Sequence, residues 1–303
     1  MYGNVKLAIL GGDLRQLSIA RHLSEIGFDC AVWGLGRCED SIGDAVRCRD
    51  WRDAVMSCRG VILPLPASAD GVTVNCPLND GSIQPLSLSL LFETVSPDTV
   101  IIGGKFTQAV VNLAQSKGRK IVDYFESEEL QIKNTVPTAE GAIAIAMNEL
   151  PVTIDGSKMA VVGYGRVGKM LADKLYALGA DVTVAARKSK DLAWAKSHRF
   201  DTLKIETNRG VSSLLSLGTG YDVIFNTVPY WLFDKSILSR LDTNTLIIDL
   251  ASAPGGVDSK AAGECGVRVI WALSLPGKCA PFTAGKIICE SINDILLSEG
   301  VIV

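Results

Sequence analysis

Histidine is nearly missing from this 303-residue sequence: His22 and His198 are the only two. Neither has a neighbouring ligand at the spacing of a metal site, so no bound metal is expected. The cysteines, Cys30, Cys38, Cys48, Cys58, Cys76, Cys265, Cys279 and Cys289, contain no CxxC pair. They read as reduced, partly buried small hydrophobes. A basic excess is missing too: the formal net charge of -3 argues against a nucleic-acid binder, which would carry a basic stripe. No apolar run approaches the roughly 18 residues of a membrane span. The opening MYGNVKLAILGGD turns glycine-rich too soon for a signal peptide and reads as a first strand. A cytosolic chain is expected. There is no low-complexity segment and no short tandem repeat.

What the sequence does have is alternation. Short apolar runs trade places with helical patterns nearly from end to end, the signature of parallel strands with crossover helices. At this length two domains are expected rather than one. In the first half VKLAIL, DCAVWG, GVILPL, TVIIGG and RKIVDY read as strands. DLRQLSIARHLSEIG reads as a helix with Leu14, Leu17, Ile19, Ala20 and Leu23 largely on one face. Residues 64–84, with Pro64, Pro66, Pro77, Asn75, Asn79 and Gly81, form an irregular loop of a length that is usually functional or mobile.

In the second half SKMAVVG, DVTVAA, YDVIFNTV, NTLIIDLAS and VRVIWAL are the strands. Between the halves, NTVPTAEGAIAIAMNELPVTIDG predicts a helix capped by Thr138, with Glu140 and Gly141 in its first turn and Pro151 at its end. Its AIAIAM stretch is apolar nearly all round and should be buried, as a connector packed between domains. A last helix, about Thr283 to Leu297, is expected to cross back to the first domain.

Gly163, Gly165 and Gly168, in AVVGYGRVGKM, follow an apolar strand and open a helix. The first permits a tight turn, the second lets backbone approach a pyrophosphate, and the third lets helix and strand pack closely. The helix start adds unpaired N–H groups and a positive dipole end. That context makes the pattern far more specific than a bare GxGxxG. With Arg166 and Val167 between them, these glycines are the candidate cofactor ligands. An acid that would bind the ribose hydroxyls is expected about 20 residues on, but the chain there reads AARKSK. Ala185 and Ala186 remove the repulsion a carboxylate would exert on a 2′-phosphate. Arg187, with Lys188 or Lys190, could meet that phosphate, arginine being suited to bidentate contact. This favours NADP over NAD; the plain alternative is a solvated basic loop at a helix start.

Three later strand ends carry small, polar or proline residues. FNTVP supplies Asn226, Thr227, Val228 and Pro229, DLASAPGG supplies Leu250 and Ala251, and ALSLPGKCAPFTAG is the third. Open α/β sheets bind ligands at such ends, and together they suggest a wall around a nicotinamide. The expected fold is therefore α/β, with two Rossmann-like domains, parallel doubly wound sheets and a cleft between them. The expected boundaries are 1–133 plus 284–303 for a substrate or partner domain, 134–150 for the connecting helix and 151–283 for the NAD(P)-binding domain.

In the first half LAILGGDLRQL imitates a nucleotide loop but lacks the third glycine. Asp13 reads as a helix cap. Arg15, beside Gln16, is a cation in a first turn, which opposes the helix dipole unless it faces an anion. Lys105 follows two glycines in IIGGKFT, and Lys278 lies in LPGKCAP. Any one of these cations is most often solvated; clustered, they would suit a substrate bearing carboxylates. Glu140 is a candidate proton acceptor, with a first-turn glutamate favoured by the dipole as the alternative.

Four stretches, GGDLRQ (11–16), NTVPTAEGAI (134–143), GYGRVG (163–168) and LPGKCAPFTAG (275–285), together resemble the dipicolinate synthase A-subunit family of spore-forming bacteria. GYGRVG is generic to dinucleotide folds; GGDxRQ with PTAEGAI is more specific. The resemblance covers the whole length. It implies NADP-linked oxidation of dihydrodipicolinate to dipicolinate (pyridine-2,6-dicarboxylate), in the mother cell during sporulation. It also implies a partner, the flavoprotein-like B-subunit of dipicolinate synthase. A small ring with two carboxylates needs cations or oriented N–H donors. Asp13, Arg15, Gln16, Lys105, Thr138 and Lys278, with the helix starts near Asp13 and Thr138, are the candidate substrate contacts. Glu140 and Lys105 are the candidate catalytic residues. Aromatisation supplies much of the driving force, so a strong base is not required and positioning dominates.

Other readings stay open. A shikimate-dehydrogenase-like enzyme would pair a lysine, such as Lys105, with an aspartate. A 2-hydroxyacid dehydrogenase fits less well, since it would use a histidine this chain scarcely has. A non-catalytic nucleotide-binding protein that organises a partner enzyme would need no acid or base.

Overall fold

A computed structural model of the chain describes residues 5–36, 42–208 and 211–302. They divide into two compact units, Met1–Asn134 with Ala280–Val303, and Thr135–Cys279. The first holds six strands, β1 (Lys6–Leu10), β2 (Asp29–Trp33), β3 (Val46–Arg47), β4 (Gly60–Ile62), β5 (Val100–Gly103) and β6 (Ile121–Asp123). They form one parallel sheet in the order β3-β2-β1-β4-β5-β6. Successive residues of a strand face opposite ways, and both faces are covered here. Leu7 and Ile9 join one core cluster, while Ala8 and Leu10 join another. That two-sided burial is why the strands read as continuous apolar runs rather than alternating ones. The helices of this part are α1 (Leu14–Glu25), α2 (Trp51–Val55), α3 (Leu88–Thr94), α4 (Gln108–Ser116) and α5 (Glu128–Lys133).

The second unit begins with α6 (Thr135–Glu149) and continues through β7 (Lys158–Val162), α7 (Arg166–Ala177), β8 (Asp181–Ala186), α8 (Ser189–Ser197) and β9 (Asp201–Lys204). A two-stranded antiparallel hairpin, β10 (Thr207–Asn208) and β11 (Val211–Ser212), follows. Then come β12 (Val223–Asn226), α9 (Lys235–Leu238), β13 (Leu246–Asp249), α10 (Ser259–Cys265), β14 (Arg268–Trp271) and α11 (Leu275–Cys279). Its parallel sheet has the order β14-β13-β12-β7-β8-β9. Read from the other edge, this is the strand order of the first sheet. Both units are thus Rossmann-like and doubly wound. Each has a switch point where the order reverses, between β1 and β4 and between β7 and β12, and ligands of such sheets sit beyond the strand ends there.

The last helix, α12 (Pro281–Ser298), returns to the first unit and lies along α1. The approach is close because Gly285 has no side chain: a Cβ there would stand 2.5 Å from Ser18 Cβ and 2.6 Å from the Arg15 carbonyl oxygen. Ser18 Oγ donates to the Phe282 carbonyl at 2.9 Å.

Several expectations need correction. The units divide at 134/135 and 279/280, so α6 belongs to the second unit instead of standing apart as a connector. It begins at Thr135, not after Thr138. Pro137 fits this early start, because the first-turn N–H it lacks has no intrahelical partner anyway. Thr138 is therefore inside the helix rather than at its N-cap, and Glu140 lies in the second turn. Nor is α6 buried all round: Ala139, Ala142, Ile143 and Ala146 are buried, but Ala144 and Met147 are exposed. β3 and β9 were not expected; both are edge strands, one of two residues and one with no buried residue, so neither carries an apolar run. Among the described residues no helix is long and apolar enough to cross a membrane.

Candidate functional site

At the switch point of the second unit, two fingerprint glycines are required by the protein itself. Gly163 has φ +97°, and a Cβ there would meet Thr227 and stand 2.8 Å from Val228 Cγ2. A Cβ on Gly168 would run into the Gly163 carbonyl. Gly165 differs. It is exposed, and a Cβ there would meet nothing within 4 Å. It is the N-cap of α7, and no side chain caps that helix. Open space in front of an uncapped helix start is what a phosphate needs.

The strand ends around this turn divide into scaffold and rim. Thr227 Oγ1 donates to the Val162 carbonyl at 3.0 Å, tying the end of β12 to β7. Asn226 is fully buried. Its Nδ2 donates to Asp249 Oδ1 (2.8 Å) and the Val228 carbonyl (3.1 Å), and its Oδ1 accepts from Val228 N (3.2 Å). Asp249 also accepts from the backbone of Ala251 (3.0 Å) and Gly256 (2.8 Å). This buried, satisfied network fixes the loops after β12 and β13. Asn226 and Ala251 belong to it, whereas Val228 and Leu250 are half-buried and Pro229 is exposed. Sequence reasoning missed Asp249 and Gly256; the signal was an acid ending an otherwise apolar strand, shortly before a proline and two glycines. Ala186 is buried at the end of β8, and Arg187, Lys188 and Lys190 beside it are exposed. None of these three cations is ion-paired with a described residue.

The corresponding turn of the first unit is closed. Gly11 and Gly12 have φ of +65° and +98°. The Gly12 N–H donates to the Asn75 carbonyl at 2.8 Å, and a Cβ on Gly11 would stand 2.7 Å from Cys76 Sγ. Residues 75 and 76, from the irregular loop after β4, thus occupy the space that stays open before Gly165. Burial pushes the Cys76 thiol up to about 11. Asp13 caps α1, accepting from Arg15 N at 3.0 Å. Its carboxylate also grips the Arg15 guanidinium, with Nε at 2.9 and 3.1 Å and Nη2 at 2.7 Å. Nη2 donates again to the Leu65 carbonyl at 2.5 Å, so Arg15 bridges the ends of β1 and β4. One expectation changes here, the free N–H donors at the start of α1. The Arg15 and Gln16 N–H groups are already bonded to Asp13 and are not free donors. Asp13 is the helix cap the sequence suggested, and its carboxylate also holds Arg15.

Gln16 is 2% exposed and its Nε2 has no partner among the described residues. Its side chain folds over Gly12, where an added Cβ would be 3.0 Å from both Gln16 Cβ and Pro64 Cβ. Lys105 follows β5 with φ +53°, a conformation few side-chain-bearing residues adopt. The turn is held because the N–H groups of Lys105 and Phe106 both donate to Asp123, at 3.1 and 2.9 Å. The exposed Lys105 Nζ stands 4.8 Å from the Phe125 ring centroid. Gly104 exchanges backbone hydrogen bonds with the loop after β4, donating to Pro64 O and accepting from Ala67 N. Arg15 and Gln16, in the first turn of α1 after β1, and Lys105, just after β5, therefore share the carboxyl edge of the first sheet, with β4 between their two strands. Thr138, Glu140 and Lys278 lie in the second unit. Glu140 is ion-paired with Lys174 of α7 at 2.9 Å, and Lys278 is exposed in the last turn of α11.

A family model described as the N-terminal domain of the dipicolinate synthase A-subunit matches residues 6–125. The dipicolinate synthase A-subunit of Bacillus subtilis (strain 168) is 33% identical over 296 residues, 98% of this chain and 97% of that protein. The crystal structure of the dipicolinate synthase A-subunit from Bacillus halodurans superposes with a TM-score of 0.87 at 30% identity, covering 98% of this chain and 99% of that one. A transhydrogenase from Sinorhizobium meliloti shares the fold, with a TM-score of 0.72 at 13% identity over 97% of this chain and 94% of that one.

Proposed function

The chain belongs to the dipicolinate synthase A-subunit family, and on that premise we propose that it is an NADP-dependent dehydrogenase. Its reaction is the oxidation of dihydrodipicolinate to dipicolinate in the mother cell of a sporulating bacterium, in company with the synthase's B-subunit. The observation that carries the dinucleotide reading is the open, uncapped start of α7 at Gly165, set against the capped and covered start of α1. The residues present fit the cofactor. Gly163, Gly165, Arg166, Val167 and Gly168 would hold the pyrophosphate. Arg187 and Lys188, beyond the neutral Ala186, would meet the 2′-phosphate. Thr227, Val228, Pro229 and Leu250 would form the wall at the nicotinamide end, with Asn226 and Ala251 setting its shape from behind. When bound, NADP supplies the acceptor for the hydride that leaves a ring carbon.

The substrate carries two carboxylates, and the first unit offers donors for one. Arg15 is held by Asp13, Gln16 Nε2 has no partner among the described residues, and Lys105 follows β5, one strand beyond β4. Thr138 and Lys278 are the second unit's candidate contacts. A ring proton must also leave. Of its two candidate carriers, Lys105 and Glu140, the carboxylate already has Lys174 as partner, and aromatisation lessens the need for a strong base.

The test is absorbance at the reduced-nicotinamide band with dihydrodipicolinate and NADP, with and without the B-subunit. A rise is expected. A rise only in the presence of the B-subunit would place the chemistry in the complex. No rise in either case would refute the enzyme reading and leave the chain a nucleotide-binding organiser.

A further inference from the structure

A cavity of about 310 Å³ lies in the first unit, beyond the ends of β2 and β3. Its lining includes the apolar Val32 and Ile83 together with Gly34–Gly36, Arg47, Arg49 and Ser82. Among the described residues that line it there is no carboxylate. Arg47 Nη1 donates to the Gly36 carbonyl at 3.0 Å, which fixes one guanidinium at the rim. Arg49 is exposed and has no ion partner among the described residues. Gly34 and Gly36 are left-handed, with φ of +82° and +61°, a local curl of the kind that gathers successive N–H groups into an anion-binding concavity. The N–H groups of Gly34, Leu35 and Gly36 have no hydrogen-bond partner among the described residues, although Gly34 and Leu35 are buried. Buried N–H groups are almost always paired, because leaving one unmade is costly.

The two sheets share one strand order, so the end of β2 corresponds to the end of β8. In a dinucleotide fold this is where the adenosine ribose is read. The first unit cannot take a whole dinucleotide there. Cys76 Sγ would be 2.7 Å from a Cβ on Gly11 and 3.3 Å from one on Gly34, so it fills the passage between the turn and the cavity. The Leu78 carbonyl stands where a Cβ on Gly36 would be. What remains has room for a small body and donors for one anionic group.

We propose that this cavity is a second anion site, which binds a phosphomonoester whose organic part is no larger than a nucleoside. The phosphate meets Arg49, Arg47 and the Gly34–Gly36 N–H groups, and the organic part lies against Val32 and Ile83. The site is separate from the dinucleotide turn of the second unit.

Isothermal titration of the full chain with adenosine 2′-monophosphate tests this, in an Arg187→Asp background that removes the phosphate reader assigned to the second unit. Saturable binding of one equivalent is expected. Arg49→Ala and, independently, Ser82→Asp should each weaken it about tenfold or more, the scale of a lost charge-assisted contact. Both positions are exposed, and circular dichroism should show both variants folded. Absence of saturable binding, or binding that neither substitution alters, overturns the proposal. Adenosine binding as tightly as its phosphate would refute the anion assignment, and inorganic phosphate binding as tightly would refute the organic part.

Discussion

Arg187 stands next to an alanine at the end of β8, exposed and without an ion partner among the described residues. Arg187→Asp should weaken NADP by about 100-fold, the sum of a lost bidentate contact and a new repulsion, with NAD affinity changed by no more than about threefold. Fluorescence titration of the two reduced cofactors would show it, and equal weakening of both would exclude Arg187 as the phosphate reader. Arg15 is the second residue to test. Arg15→Ala should raise KM for the dicarboxylate about tenfold with cofactor affinity unchanged; an unchanged KM would remove Arg15 from the site. The substitution also leaves Asp13 with less to hold, so kinetics belong well below the melting temperature. The oddity of Arg15 was legible in the sequence, since a cation in a first turn works against the helix dipole. Its partners were only half legible: Asp13 is two residues away, but Leu65 comes from another strand end. No local pattern announces such a bridge.

The starts of α1 and α7 look alike as sequence, and the difference lies in one element. Residues 75 and 76 cover the first turn, and nothing in the described residues covers Gly165. Gly165→Asp is informative because a Cβ there meets nothing within 4 Å and aspartate suits an N-cap. Stability should hold or rise by a few tenths of a kcal/mol, while NADP affinity falls by about 100-fold or more through repulsion of the pyrophosphate. A thermal melt with a cofactor titration separates the two effects. A variant that still binds NADP tightly would show that phosphates do not sit at this turn. Most strands were legible because parallel strands covered on both faces are unbroken apolar runs. β3 and β9 were not, because an edge strand needs only hydrogen bonds from one neighbour and carries no such run. The start of α6 was misplaced because Thr138 resembles a cap, while Pro137 makes the earlier start equally acceptable.

At the scale of the whole molecule, the second unit is one continuous stretch and the first is not. Ile288, Ile292 and Leu296 of α12 belong to the same core cluster as Leu7, Leu17 and Leu23. Removing residues 280–303 should therefore expose that cluster and leave the second unit's core intact. Hydrogen exchange should show loss of protection in β1, β2 and α1 with retention in β7, β8 and β12. Uniform loss would mean the second unit depends on the first for its fold. The length and the alternation of runs announced two Rossmann-like units and the return of the last helix to the first, with crossings expected at 133 and 284 where the units divide at 134/135 and 279/280. Those points depend on which helix packs on which, as Gly285 against Ser18 decides for α12.

That passage of the chain through the second unit and back also sets an order of events during synthesis. The ribosome delivers β1 to α5 first, yet their cover arrives only when residues 281–298 emerge. The later-made unit has all of its own residues as soon as Cys279 is out. The unit whose strands are made earlier is thus the later of the two to be completed, and until then it waits with one side of α1 bare.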